Sequence, residues 1–272
     1  MDNRAIGVFD SGLGGLTVLN ELAKLLPCEN IVYFGDTGRI PYGTRSRETI
    51  IKYAEQDMDF LIRHNVKCII AACGTVSTVL LPEVYGKYNV LYTGVVEHAV
   101  RAAVSVNNKE HLHIGVIATS AAIKSGTYER IVHEHNSEAK VFVKACPLFV
   151  PLVENGYTAR DNEIAILTAR EYLQPLCEKE IDALIMGCTH FPILKDIIQD
   201  IMGENVTLID PGFETARYMA NKLKELNMLS GNKEKGKYNF FLSDSTELFI
   251  ENAKIFLGEK ITGKYEQITT EN

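Results

Sequence analysis

The chain has 272 residues, 46% of them hydrophobic and 23% charged, and its formal net charge at pH 7 is −7. These values are ordinary for a globular protein with one large domain or two modest ones. The acidic balance argues against a nucleic-acid partner, because such proteins carry a concentrated basic face.

Short β-rich apolar segments alternate along the chain with longer segments of helical period. Helices are predicted at 16–26 and 49–65, a polar loop at 229–239 and a terminal helix at 245–258. Such alternation is typical of an α/β fold with mainly parallel sheets. Strands are predicted at 5–10, 30–36, 66–73, 90–96, 113–119, 139–146, 182–188 and 206–210.

The order of these segments repeats. "IGVFDS" from residue 6 is similar to "IGVIAT" from 114, "GVVEHA" from 94 is similar to "PGFETA" from 211, and an apolar segment ends in a cysteine at both Cys73 and Cys188. Three short matches in one order predict two duplicated α/β halves. Since ligands of open α/β sheets bind beyond the carboxyl ends of the strands, we expect Asp10 and Cys73 on one side of a shared cleft and Cys188 on the other.

The glycine-rich segment "FDSGLGGLTVL", 9–19, matches neither of two known nucleotide-binding motifs. Its third glycine is misplaced for the dinucleotide fingerprint, and the lysine of the phosphate loop is missing. Its glycines allow a tight turn from strand to helix and leave backbone amides free to hold an anion. The plainer alternative is an ordinary turn that Asp10 caps.

The segment "YFGDTGRIPYGTRS", 33–46, is rich in turn residues and hydroxyls. A loop of this length without its own periodicity is often functional. The alternative is a solvated surface loop with Arg39, Arg45 and Arg47 in water.

Two of the six cysteines stand apart. Cys73 and Cys188 each end a predicted strand where a helix is expected to begin, and a helix N-terminus lowers the pKa of a thiol. Hydroxyls at Thr75, Ser77 and Thr189 are candidates to bind the sulfur or a ligand. The other cysteines are interpreted as small buried hydrophobes; these are Cys28, Cys68, Cys146 and Cys177.

Several kinds of thiol site do not fit. Val79 and Leu194 occupy the positions where a phosphatase loop needs arginine, and the cysteines lack the clustered spacing of a zinc site. A hydrolase that uses Cys188 and His190 stays open but leaves Cys73 without a role. A non-catalytic ligand-binding module also stays open.

Inversion at a carbon acid is a reaction that uses two like thiols. Enantiomers have equal free energy in water, so a base on one face and an acid on the other must exchange roles in the reverse direction. Positioned proton transfer supplies roughly 10²–10⁴-fold, and hydrogen-bond donors must stabilise the charge that develops on the substrate. Two cysteines on related halves of a cleft suit this symmetry.

These motifs resemble those of the aspartate/glutamate racemase family, and within it the cofactor-independent glutamate racemases. The resemblance rests on "GVFDSGLGGLTVL", "YFGDTGRIPYGTRS", "CGT" after a strand, "LFVPLVENG" and "MGCTHFPIL", which span nearly the whole chain.

The resemblance implies two pseudo-symmetric three-layer α/β domains with the active site in the cleft between them. One domain comprises 1–97 plus 211–272 and the other 98–210. It implies interconversion of L- and D-glutamate, which supplies D-glutamate for peptidoglycan, without pyridoxal phosphate, metal or nucleotide. Glutamate would be the small-molecule substrate, and a homodimer is the default expectation.

By the same resemblance, Cys73 exchanges the proton of the D-enantiomer and Cys188 that of the L-enantiomer. Asp10 lies beside Cys73, while His190, with Glu154, lies beside Cys188 and tunes its basicity. Without the resemblance, Glu154 reads as a surface carboxylate and His190 as a helix cap. The positions that match the substrate site are Asp10, Ser11, Tyr42, Gly43, Thr75, Thr189 and His190.

One residue departs from the family pattern, which usually has Asn after the first cysteine where this chain has Gly74. The lost amide is worth roughly 0.5–1.5 kcal/mol. Aspartate or another acidic amino acid therefore stays an alternative substrate. Glu97 and His98 are interpreted as structural.

Apolar segments and cysteines also bear on location. No long apolar segment opens the sequence and no stretch reaches the ~20 apolar residues of a membrane span. The six cysteines lack the paired spacing of a disulfide framework. We therefore expect a protein of the reducing cytoplasm, with no membrane partner.

Overall fold

The protein was analysed as a computed structural model, which describes residues 1–108, 111–257 and 263–268. Some residues of the predicted first domain thus lie outside the described part of the chain. Gly258, the last residue of the predicted terminal helix, is one of them. The described strands are β1 (Ile6–Asp10), β2 (Ile31–Gly35), β3 (Cys68–Ala71), β4 (Leu91–Gly94), β5 (His113–Ala118), β6 (Lys140–Ala145), β7 (Ala183–Met186), β8 (Thr207–Ile209), β9 (Tyr238–Leu242) and β10 (Lys264–Gln267).

Helices connect these strands, and short 3-10 segments lie at 37–39, 42–44, 106–108 and 191–194. The α-helices are α1 (Leu16–Leu25), α2 (Arg47–Arg63), α3 (Gly74–Val79), α4 (Pro82–Tyr85), α5 (Val96–Val104), α6 (Ser120–Lys124), α7 (Thr127–His135), α8 (Phe149–Glu154), α9 (Glu163–Cys177), α10 (Lys195–Met202), α11 (Pro211–Glu225) and α12 (Thr246–Leu257).

The strands form two sheets, and every pairing between described strands is parallel. The first sheet has the order β10-β9-β2-β1-β3-β4 and the second β6-β5-β7-β8. The first four strands of each half therefore have the same topology, with β9 and β10 added at the β2 edge of the first sheet. The prediction of an α/β fold with mainly parallel sheets is confirmed.

All eight predicted strands are present, whereas β9 and β10 were not predicted. Tyr238 and Asn239 were assigned to the polar loop, yet they begin β9, which pairs with β2. β10 is a short edge strand with polar, largely exposed side chains, "KYEQ", and such a segment has too little apolar character to predict a strand.

Helix starts follow from local hydrogen bonding. The Ser46 hydroxyl accepts from the Thr49 amide at the start of α2, and the Asn162 side chain accepts from the Ala165 amide at the start of α9. Asp210 accepts from the Gly212 amide before α11. Such caps fix where each helix begins relative to the strand before it.

Two helices join the halves. α5 follows β4 of the first sheet but packs on β7 and β8 of the second, and α11 follows β8 of the second sheet but packs on α1. The predicted domain boundaries at 97/98 and 210/211 fall in α5 and at the start of α11, and they stay a prediction. One hydrophobic cluster includes Val8 and Leu16 of the first half together with Phe191 of the second. The halves therefore share a core beneath the strand ends.

Candidate active site

The two singled-out cysteines occupy equivalent places in the two sheets. Cys73 lies two residues after β3, and Cys188 lies two residues after β7. A Cβ placed on Gly74 would overlap the carbonyl oxygen of Gly187 and lie 3.7 Å from the Cα of Cys188. The two cysteine-bearing turns are therefore in contact, and the thiols are only 5% and 7% exposed.

The Cys73 thiol lies in an acidic and enclosed setting. Its Sγ donates to the Ser11 hydroxyl over 3.6 Å, and Cys73 is the N-cap of α3. Burial, and next the negative charge of Asp10, raise the pKa of Cys73 to about 12, although the Val76 amide and Ser11 act in the opposite direction. The expectation of a lowered pKa is wrong for Cys73, because one short helix offsets too little of the cost of burying a thiolate.

The Asp10 carboxylate stabilises the turn that follows β1 and also lies in the site. Its carboxylate accepts from the Gly12 amide over 2.9 Å, so it holds the strand-to-helix turn in the way an ordinary cap would. Burial raises the pKa of Asp10, while the nearby His190 and the amides of Gly15, Gly12 and Ser11 lower it without cancelling that effect. Asp10 is thus a buried acid close to both Cys73 and His190.

The Cys188 thiol has a basic partner instead. His190 Nδ1 lies 3.8 Å from Cys188 Sγ, and His190 Nε2 lies 2.9 Å from Glu154 Oε1. Burial lowers the pKa of His190, but the contacts with Cys188 and Glu154 outweigh it and raise that pKa to about 10. His190 is therefore an imidazolium at neutral pH, held between a thiol and a carboxylate.

The chain after Cys188 does not form the expected helix start. A turn comes first, and the following 3-10 helix begins at Phe191, with His190 at the N-cap position and no capping bond from its side chain. Pro192 lies in the first turn, where its missing N–H costs nothing, and this sets the helix start beyond Cys188. The alternative of His190 as a helix cap is confirmed in position, but its ring makes no capping bond and contacts Cys188 and Glu154 instead.

The loop that ends β2 is tied down by buried charges. The Tyr42 hydroxyl donates to Asp36 and, over 3.3 Å, to Asp57. Arg39 pairs with both carboxylates, at 2.6 and 3.0 Å. The alternative of a solvated loop therefore fails for Arg39. It fits Arg45 and Arg47, which are exposed. Any contact of Tyr42 with a ligand falls to its backbone.

Hydroxyls from the two halves meet beside the thiols. The hydroxyls of Thr75 and Thr119 lie 3.0 Å apart. A Cβ on Gly43 would lie 3.2 Å from that of Thr119, so the predicted loop reaches the same point. Thr119 was not predicted as a site residue. The internal repeat contains a signal for it, because Thr119 matches Ser11 in the alignment of "IGVIAT" with "IGVFDS".

The glycine-rich turn packs directly on the Cys188 side. The Thr17 hydroxyl donates to the backbone carbonyl of Thr189 over 3.0 Å. A Cβ on Gly14 would overlap the Thr189 hydroxyl and lie 2.5 Å from His190 Nδ1. Gly14 therefore has no room for a side chain, because the side chains of Thr189 and His190 approach it closely, and the prediction of a tight turn with free amides did not include this contact.

Three further candidates lie away from the thiols. Ser77 donates to the Ala71 carbonyl and accepts from the Val95 amide, so its hydroxyl does not bind a sulfur. Glu97 pairs with Arg101, and His98 bonds to Thr93, in keeping with their interpretation as structural.

A cavity of about 1040 Å³ lies beside the site and is lined by Ser77 and His98 among others. None of its described lining residues is a predicted catalytic residue. Among residues 1–108, 111–257 and 263–268, no group of three or more His, Cys, Asp or Glu side chains is placed to hold a metal ion.

Fold and site together define an acid–base centre built on two buried thiols. The thiols lie on contacting turns of a duplicated α/β fold, and one has an acidic neighbour while the other has a cationic one. The profile of the Asp/Glu/Hydantoin racemase family matches residues 9–219. The chain belongs to this family, whose members are isomerases.

Individual relatives span nearly the whole chain. A glutamate racemase from Geobacter metallireducens is 43% identical over 263 residues, which cover 97% of this chain and 96% of the relative. The crystal structure of glutamate racemase from Francisella tularensis in complex with D-glutamate has a TM-score of 0.89 at 39% identity, and covers 100% of this chain and 98% of that one. A glutamate racemase isoform from Bacillus anthracis has a TM-score of 0.92 at 35% identity, with 98% of each chain covered.

No described helix combines the length and the hydropathy that crossing a bilayer requires.

Proposed function

We propose that this chain interconverts L- and D-glutamate by proton transfer between Cys73 and Cys188, and that it supplies D-glutamate for peptidoglycan in the cytoplasm. The observation that carries the proposal is the contact between the two thiol-bearing turns, each thiol with a partner of different charge. The relatives named glutamate racemase support the substrate, and the six free cysteines suit a reducing compartment.

Each direction of the reaction uses the thiols in opposite roles. Starting from D-glutamate, the Cys73 thiolate takes the α-proton to leave a carbanion, and the Cys188 thiol then donates its proton to the opposite face of the same carbon. The product is L-glutamate, and the enzyme is left with a Cys73 thiol and a Cys188 thiolate. From L-glutamate the same two transfers run in reverse, so no proton or electron is gained or lost.

The neighbours divide the work of holding these protons. The imidazolium of His190 lies 3.8 Å from the Cys188 sulfur, where its charge faces the negative charge that the sulfur carries once it has donated its proton. On the other side, Ser11 and the Val76 amide bind the Cys73 sulfur, and the buried Asp10 keeps its proton affinity high. Cys73 therefore holds a proton in the empty site and must release it before it can act on D-glutamate.

Developing charge on the substrate needs fixed donors. The hydroxyls of Thr75 and Thr119 contact each other, that of Thr189 lies against Gly14, and Thr75 and Thr189 are buried. Donors in such a setting stabilise charge more strongly than water does, because they need no reorganisation. We assign them to the substrate carboxylates and amino group.

The test is deuterium incorporation in D₂O. The enzyme is incubated with L-glutamate or D-glutamate, and optical rotation and α-deuterium are followed with time. We expect both enantiomers to racemise with uptake of solvent deuterium, and Cys73→Ala and Cys188→Ala each to lose at least ~100-fold in kcat/KM.

Normal racemisation by either alanine variant would overturn the assignment of that thiol. Hydrolysis of an amide or ester with a trapped thioester at Cys188 would favour the hydrolase alternative. A parallel assay with L-aspartate measures the substrate preference, and faster turnover of aspartate would refute glutamate as the substrate.

A further inference from the structure

The imidazole ring of His190 has both nitrogens engaged within its own half of the molecule. Nδ1 faces Cys188 at 3.8 Å and Nε2 faces Glu154 at 2.9 Å. These two contacts fix the nitrogen positions along one line but leave the tilt of the ring around that line free. Something else must set the tilt that aims Nδ1 at the sulfur.

The other half of the molecule supplies that constraint. The ring of Phe256, on α12, stands perpendicular to the His190 ring, with centroids 5.3 Å apart. α12 follows β9 of the first sheet and packs on α1 and on α8, the helix that ends in Glu154. Gly14 of the first half lies against the same imidazole. His190 thus belongs to the second half, yet its ring lies against residues of the first.

We propose that Phe256 is a positioning residue for the Cys188 half of the reaction and acts through His190. The proposal rests on the proposed racemisation. The contact that links Phe256 to the site is the one with the His190 ring, and we assign its effect to the position of the imidazole.

The physical basis is the shape of the pair. Perpendicular rings at this separation are an arrangement that aromatic pairs favour, and the buried Phe256 ring limits how far the imidazole can tilt. Leucine at 256 would fill much of the volume but would remove both effects. The imidazolium would tilt and lose part of its stabilisation, and the thiolate of Cys188 would lose part of its partner.

The effect has a directional signature. The equilibrium constant of a racemisation is one, so kcat/KM must fall equally in both directions. The isotope effects need not match: removal of the α-proton of L-glutamate by Cys188 becomes slower relative to the other steps. The primary isotope effect should therefore rise with α-deuterated L-glutamate and should not rise with α-deuterated D-glutamate.

The experiment compares Phe256→Leu with Phe249→Leu. Phe249 is the matched control, because both residues lie on α12 and both are 3% exposed. Phe249 packs at a tilt against Tyr33 and Tyr265, whereas Phe256 packs against His190. We expect Phe256→Leu to lose roughly 10-fold in kcat/KM, with the one-sided isotope effect. Phe249→Leu should stay within about twofold of wild type once both proteins are shown to be folded by thermal melting.

A second readout does not depend on racemisation. Nitrogen-15 NMR titration of His190 should give a lower pKa in Phe256→Leu than in Phe249→Leu or wild type. Equal losses of activity in the two variants, equal isotope effects for both enantiomers, or an unchanged His190 pKa would each overturn the positioning role. Absence of glutamate racemisation in the wild type would instead refute the proposed function and leave the NMR result to decide the role of Phe256.

Discussion

The turns that carry Cys73 and Cys188 have the same place in the topology but opposite electrostatic settings. Each thiol lies two residues beyond the third strand of its half. Cys73 has the buried carboxyl of Asp10 beside it, whereas Cys188 has an imidazolium. In the internal repeat, Asp10 corresponds to Ala118, which has no charge. The duplicated fold thus determines where the thiols stand, and the loops around them determine their proton affinities.

This difference has a mechanistic reason. Two identical thiols in identical settings would share one proton affinity, and the state with one thiol and one thiolate would have no preferred arrangement. An acidic neighbour at Cys73 favours a thiol there, whereas a cationic partner stands beside Cys188. Four sets of variants test this difference and the contacts that hold the two turns together.

The largest effect is expected from exchanging sulfur for oxygen. Cys73→Ser and Cys188→Ser should each lower kcat/KM by about 10²–10⁴-fold, because a hydroxyl is a far weaker acid than a thiol. The primary isotope effect should rise with α-deuterated D-glutamate in the first variant and with α-deuterated L-glutamate in the second. The same isotope pattern in both serine variants would contradict the assignment of one thiol to each enantiomer.

Gly74→Ala tests the contact between the two turns. The added Cβ would overlap the Gly187 carbonyl and push the thiol-bearing turns apart, and a misplacement of about 1 Å can cost up to ~10²-fold in rate. We expect kcat to fall by about 10- to 100-fold in steady-state assays. Gly38→Ala is the control, since the nearest atom to a Cβ at that position is the carbonyl oxygen of Ser243, 3.2 Å away. A wild-type kcat in Gly74→Ala would show that the added methyl group does not displace the two thiol-bearing turns.

Glu154→Gln tests the Cys188 side through pH. The pKa of His190 is raised from its ordinary value of 6.5 to about 10. In the folded protein the imidazolium charge therefore persists above pH 6.5 and is lost as the pH rises through about 10. Removing the Glu154 charge should move that loss to lower pH. We expect kcat/KM to fall by roughly 10-fold near pH 9, with little change near pH 6.

The same variant should affect stability in the same window. Wild-type protein should lose thermal stability between pH 6.5 and 10, because the folded state binds a proton there that the unfolded state releases. Glu154→Gln should lose it at lower pH. An alkaline limb that does not move in either measurement would refute the role of Glu154.

The smallest effect is expected at the junction of the halves. Thr17→Val keeps the shape of the side chain but removes a hydroxyl that lies 2.9 Å from the Gly14 carbonyl of its own turn and 3.0 Å from the Thr189 carbonyl of the other half. This should cost about 1 kcal/mol in urea unfolding. Thr168→Val is the comparison, since that hydroxyl binds within its own helix. Equal losses in the two variants would show that the junction adds nothing to stability.

Much of the fold was predictable because strands buried on both faces leave continuous apolar segments. All eight segments of this kind are strands, and the repeat of "IGVFDS" and "IGVIAT" coincides with β1 and β5, the second strand in each sheet's common order. β9 and β10 escaped prediction because one begins inside a polar loop and the other is a mostly polar edge strand. The local sequence pattern of a segment does not show that it will pair with a strand about two hundred residues away, as β9 does with β2.

Predicted site residues are close together around the thiols, but their electrostatics could not be predicted. The sequence analysis expected a lowered pKa at Cys73, and the structure gives a raised one, because burial and Asp10 depend on tertiary packing. Contacts between the halves were missed for the same reason: Gly14, Thr119 and Phe256 touch the site only because distant segments meet. Thr119 alone had a signal, through its match to Ser11.

The burial of both thiols has a further consequence for survival of the protein under oxidative stress. Peroxides and electrophiles attack sulfur according to its access and its thiolate fraction. Cys73 is enclosed and protonated, and Cys188 is enclosed behind His190, whereas Cys177 is exposed at the end of α9. Oxidants should therefore reach the exposed sulfur of Cys177 before either of the two enclosed thiols.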